Sequence, residues 1–214
     1  MATVPSPYAD YPPRWAVFDG HVPMFDAGMM GFSGSTGDVN RFAARYRAAR
    51  CFRCVEFEGL TNDTADGYSM LCLLLLTYSA FEYFLKAIGI EQRNTSTLLD
   101  DDERDRVIAH VRGLNGSTAL FTFVRRFLNE SYQRQIDSFT ANRACNPVYL
   151  AGALRHAFAH GMLTATPATV PSQTVATVCR FLCRVLVRIM DREFVNRMDQ
   201  FEKDFEEWVS GHGN

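Results

Sequence analysis

From Asp38 onward the apolar residues recur at three- and four-residue intervals, and no stretch alternates with period two over a useful length. The pattern predicts an all-α fold, a bundle of five or six helices. Asp38 can cap a helix running to about Phe57, after which Thr61 to Asp66 supply turn and cap residues for a long apolar helix ending near Gly89. Asp100 to Val111 reads as a short helix passing from acidic to basic. Gly113 to Ser117 break it, and a helix from Thr118 to about Phe139 follows with Leu120, Phe121, Val124, Phe127 and Leu128 on one face. Asn146 suits an N-cap, Pro147 a first helical position and Gly161 a C-terminal cap, so a sharply bounded helix is expected over 146–161. Thr164 to Pro171 is a connector. Val175, Cys179, Leu182, Leu186, Ile189, Phe194, Met198, Phe201, Phe205 and Trp208 then spell a long last helix.

Residues 1–37 break the pattern, being rich in Pro, Gly, Ser and aromatics, and are expected to form an irregular arm ahead of a helical domain over 38–210. Trp15, Phe18, Phe25 and Phe32 predict that the arm packs on the core or on a second subunit. Its Gly31-Phe32-Ser33-Gly34-Ser35-Thr36-Gly37 stretch lacks the Gly-Lys-Ser/Thr ending of a phosphate loop and reads as a plain loop.

A 47% apolar chain can fill a sizeable core, and a formal net charge of −2 excludes a globally basic nucleic-acid binder. An anionic partner has to be met locally. The one concentrated basic segment carries Arg41, Arg45, Arg47, Arg50 and Arg53 without an acid among them; Arg41, Arg45, Arg50 and Arg53 are candidate RNA-backbone contacts, although helical geometry spreads such charges round the axis. Met70 to Ile90 is apolar enough to suggest a membrane span, but Glu82 and Lys86 lie within it at i, i+4, which suits the central helix of a soluble bundle better. With no basic-then-apolar leader over residues 1–30, a cytoplasmic chain with reduced thiols is expected. Cys51, Cys54, Cys179 and Cys183 then read as core thiols, and no cofactor is expected.

The pointed chemistry is in Arg155-His156-Ala157-Phe158-Ala159-His160-Gly161. A permanently charged guanidinium near an imidazole that titrates close to neutrality is a minimal kit for a phosphodiester. On a helical wheel Leu150, Leu154, Ala157, Phe158 and Gly161 share the core arc. Arg155 and His160 fall on opposite shoulders of the other half, with Gly152, His156 and Ala159 between them as a small-residue groove. A homodimer through the 146–161 helix would use that groove and bring two Arg/His sets together. The plainer alternative has Arg155 pairing with a surface carboxylate and His160 capping the helix carbonyls. His156 and His160 also have i, i+4 metal-ligand spacing, but no Glu follows the first His and a catalytic metal needs a third protein ligand, so no metal is expected.

Arg155-His156-x-x-x-His160 resembles the Arg-(Asn/Asp/His)-x-x-x-His signature of the HEPN family, with Leu154 before it and Ala159-His160-Gly161 closing it in a similar way. The preceding apolar helix with Tyr78, Glu82 and Tyr83 also resembles that family. The resemblance implies a HEPN-like bundle and a metal-independent endoribonuclease, often a toxin or defence effector held by a cognate antitoxin protein, with its site built across a homodimer. It implies that Arg155 binds the scissile phosphate, that His160 acts as general base or acid, that His156 orients the site, and that Glu82 faces the motif. Family members without nuclease activity make the alternative a non-catalytic protein-interaction module of the same fold.

Overall fold

The computed structural model describes residues 8–167 and 170–212. Residues 1–7 of the expected arm and 168–169 of the expected connector lie outside it. Among the described residues there are eight α-helices, one 3-10 segment and no strand, so the fold is all-α as the periodicity predicts. The chain divides into two compact units. One comprises residues 1–51, 79–92 and 187–214, the other 52–78 and 93–186, and two long helices contribute to both.

In the first unit, α1 (Trp15–His21) and α2 (Thr36–Cys51) gather with the C-terminal parts of α3 (Asn62–Ile88) and α8 (Ser172–His212). Aromatic rings form its core. Phe194 of α8 lies 5.7 Å from Trp15, 5.5 Å from Phe32 and 6.1 Å from Phe42, and Phe42 lies 4.9 Å from Phe84. The arm therefore packs on its own chain: Trp15, Phe18 and Phe32 are buried and Phe25 is half-buried. It also contains a helix that the pattern did not predict. Arg14, left-handed at φ 68°, starts α1 and is held by ion pairs to Asp199 and Glu202. The Gly31–Gly37 loop is pinned by the Ser33 and Gly34 N–H groups, which both donate to the Ala87 carbonyl at 2.9 Å.

Asp38 does not cap α2. Ser35 does, in a reciprocal arrangement: the Asp38 N–H donates to Ser35 Oγ at 3.2 Å, and the Ser35 N–H donates to Asp38 Oδ2 at 3.1 Å. The Lys86 ammonium, 2.8 Å from Asp38 Oδ1, and the Ser35 donors hold this carboxyl down to about 2. The helix ends at Cys51, short of Phe57, because the following backbone turns to other partners, with the Val55 N–H donating to Ser69 Oγ at 3.0 Å.

The second unit holds α4 (Asp101–Gly113), α5 (Ser117–Arg125), α6 (Glu130–Thr140) and α7 (Pro147–Ala159), with the N-terminal parts of α3 and α8. The single helix expected over 118–139 is two. Asn129 accepts from the Tyr132 N–H and starts α6, so the apolar run continues while the backbone breaks. Helices α5, α6 and α7 pack on one another and α4 on α5 and α7. Arg112 of α4 caps the carbonyl end of α6, donating to the carbonyls of Phe139 at 2.9 Å, Ser138 and Arg143.

Helix α3 is the one described helix long and apolar enough to cross a membrane, and 56% of its most apolar stretch is buried inside the protein. Cys145, Cys179 and Cys183 are core thiols; Cys51 and Cys54 are exposed instead, since one stands at the end of α2 and the other beyond it.

Candidate functional site

Helix α7 is fixed at both ends. Asn146 caps it by accepting from the Val148 N–H at 3.0 Å, and is itself held by Nδ2 donating to Thr95 Oγ1 at 2.9 Å and by its N–H donating to Gln135 Oε1 at 2.8 Å. At the other end the Met162 N–H reaches back to the Ala157 carbonyl at 2.8 Å and the Gly161 N–H to Phe158 at 3.0 Å, with Gly161 at φ 72°. This is the glycine cap expected of Gly161, with His160 as the last half-helical residue.

The helix is buried on more than one face. Val148, Leu150, Ala151, Ala153, Leu154 and Ala157 have no exposed surface. Gly152, expected on an open groove, lies under two tyrosines: a Cβ there would fall 2.6 Å from Tyr78 Oη and 2.8 Å from Tyr132 Oη. The groove is filled by the chain's own side chains because α6 carries Tyr132 across that face. Tyr149 in the first turn is half-buried, and the helix emerges most fully at its end, with Arg155, His156 and Phe158 half-buried and Ala159 to Met162 exposed.

Three of the predicted site residues lie on this stretch, and the structure brings two of them, His156 and His160, into ring contact. The Arg155 guanidinium carbon lies 5.7 Å from the Tyr78 ring centre, so a buried aromatic face supports the cation. The rings of His156 and His160 are 4.4 Å apart, and the Tyr132 ring lies 6.2 Å from His156. Burial, and then the neighbouring His160 and Arg155, push the His156 imidazole below its ordinary value, favouring the neutral ring with a free lone pair. Such a cluster can bind an anion through the guanidinium and exchange a proton through imidazole. Cationic side chains are also favoured beside the carbonyl end of a helix.

Sequence reasoning missed Tyr132. It sits in the stretch read as one helix with α5, so the spacing gave no hint that it returns to α7. Glu82 is exposed on α3 and belongs to the first unit, whereas the Arg/His cluster belongs to the second. The basic segment is largely engaged within the first unit: Arg41 pairs with Asp38, Arg45 lies 3.7 Å from the Tyr83 ring centre, and Arg47 covers Tyr11. Arg50 lines a depression with Tyr46 and Asp191, where burial raises the Asp191 carboxyl against the opposing pull of the Tyr46 hydroxyl bond and the Arg50 charge. Arg53 is exposed beyond α2. No group of three or more His, Cys, Asp or Glu side chains suited to a metal occurs among the described residues.

No protein-family model, curated protein or solved structure matches this chain.

Proposed function

We propose that this chain is a metal-independent endoribonuclease of the HEPN type, acting as a homodimer in which two α7 ends meet. The observation that carries the reading is the pairing of His156 and His160, with their rings 4.4 Å apart, beside Arg155 at the end of α7 where the helix is most exposed. A surface ion pair or a helix cap needs no such grouping.

RNA supplies its own nucleophile. An imidazole, assigned to His160, takes the 2′-hydroxyl proton as that oxygen attacks phosphorus, while Arg155 neutralises the charge growing on the non-bridging oxygens. The bond to the 5′-oxygen breaks, the leaving oxygen takes up a proton, and the products are a 2′,3′-cyclic phosphate and a 5′-hydroxyl. His156, near both Tyr132 and His160, orients the second imidazole. Because Gly152 is covered, a second copy meets α7 chiefly over its last turn and Gly161–Met162, where Ala159 and Met162 flank His160 and are exposed.

Cleavage of single-stranded RNA in EDTA, lost in Arg155→Ala and in His160→Ala, is the expected result. Mixing the two inactive variants tests the dimer, since a site taking Arg155 from one copy and His160 from the other is whole in one of the two positions of a mixed dimer. Growth arrest on expression, relieved by His160→Ala or by a cognate antitoxin protein, is the cellular counterpart. RNA binding without cleavage by the wild type and both variants alike would favour the non-catalytic alternative.

A further inference from the structure

The spacing of the two imidazoles supports a second use. Backbone geometry fixes it: the His160 N–H donates to the His156 carbonyl at 3.1 Å, and the glycine cap behind it anchors His160 in place. Only side-chain rotation separates the pair from any common ligand. Metal–imidazole bonds of about 2.0–2.1 Å put two ring centres about 4.5 Å apart when the ligands are at right angles, and about 5.2 Å apart at the tetrahedral angle. The observed 4.4 Å is nearer the right-angled separation than the tetrahedral one, and ring rotation brings the donor nitrogens round to a shared ion. Square-planar or octahedral ions of the Ni²⁺ and Cu²⁺ kind prefer the right angle, and imidazole suits them.

We propose that His156 and His160 chelate a Ni²⁺- or Cu²⁺-class ion, and that occupancy withdraws His160 from RNA cleavage. His160 is exposed and His156 half-buried, so an ion can reach both, and the Tyr132 ring lies 6.2 Å from His156. With no third metal-ligating side chain grouped there among the described residues, water fills the remaining positions and the ion exchanges freely. It is thus an inhibitor and not a resident cofactor. The lone pair that binds the ion is the one that would accept the 2′-hydroxyl proton, so the inhibitory half rests on the ribonuclease reading. Chelation does not.

The test is calorimetric titration of tag-free, full-length protein with Ni²⁺, which leaves thiols unoxidised. One equivalent should bind to the wild type and to Cys51→Ser, and be lost in His156→Ala and in His160→Ala. His160 is exposed, so its variant keeps the fold, which circular dichroism checks. Absence of Ni²⁺ binding, or an undiminished equivalent in His160→Ala, overturns the site. In a parallel assay Ni²⁺ should suppress RNA cleavage and a chelator restore it; full occupancy with undiminished cleavage overturns the inhibitory half. Absence of any cleavage in EDTA would instead refute the ribonuclease reading while the calorimetric result stood.

Discussion

Replacing Gly152 with alanine probes the packing that covers the middle of α7. The new Cβ would meet Tyr78 Oη at 2.6 Å, Tyr132 Oη at 2.8 Å and Tyr132 Cε1 at 2.9 Å, all too close for carbon. Tyr78 is 2% exposed and has no room to swing aside, so the strain falls on Tyr132 or on the helix itself. Overpacking of this kind costs about 1–3 kcal/mol. The helix propensity gained by losing a glycine returns about 1 kcal/mol. The net expectation is a destabilisation of about 1 kcal/mol, or a fall in Tm of about 2–4 °C for a chain of this size. Thermal unfolding followed by far-ultraviolet circular dichroism measures it. Removing the nearer hydroxyl by Tyr78→Phe should reduce the cost, giving a coupling in a double-mutant cycle. A stabilisation of about 1 kcal/mol, as at an ordinary open helix position, would refute the seating of both tyrosines on Gly152.

Other outcomes follow from single contacts. Asp38 is held at about 2, below its ordinary value of about 3.9, so its contribution is present above that ordinary value and lost as pH falls through the folded one. Asp38→Asn should therefore flatten the acid limb of the stability profile in that window; an unchanged limb would contradict the Lys86 and Ser35 assignment. Arg112→Met leaves the carbonyl end of α6 without its charged donor and should cost about 1.5–3 kcal/mol in chemical denaturation, whereas a neutral effect would place Arg112 in solvent. Gly89 sits at φ 72° with a virtual Cβ 2.6 Å from Ser33 Cβ, so Gly89→Ala should destabilise by more than about 1 kcal/mol; no change would show the loop free to move. Under native conditions a thiol reagent should modify Cys51 and Cys54 readily while sparing Cys145, Cys179 and Cys183 until the protein unfolds, and rapid labelling of the last three would contradict their burial.

Local signals carried the reading of α7 far. Asn146, Pro147 and Gly161 each act through their own backbone geometry, and the helix starts and stops where they require. Asp100 works in the same way, accepting from the Glu103 N–H to start α4. Failures came where a local signal competed with a continuous apolar pattern. Leu120 to Leu128 keep helical spacing up to the break, so Asn129 was legible as a cap only to a reader already looking for a second helix. At α2, no Gly or Pro lies between Asp38 and Gly59, and the chain beyond Cys51 is turned aside by a bond from Val55 to Ser69 on the next helix. In the arm, the aromatics announced burial, but α1 starts at a left-handed Arg14 whose side chain pairs with two acids nearly two hundred residues away. The site divided along the same line. Arg155, His156 and His160 share one turn and were visible together, while Tyr132 over Gly152 is a tertiary contact that a helical wheel cannot contain.

On the proposed reading, the end of α7 cleaves RNA through its own side chains. Incubating matched RNA and DNA strands of one sequence with the protein in EDTA, and analysing the product ends, tests it most directly. The account predicts scission of the RNA alone, with 2′,3′-cyclic phosphate ends in the wild type and none in His160→Ala. Cleavage of both strands, dependence on added metal, or equal cleavage by His160→Ala would contradict it.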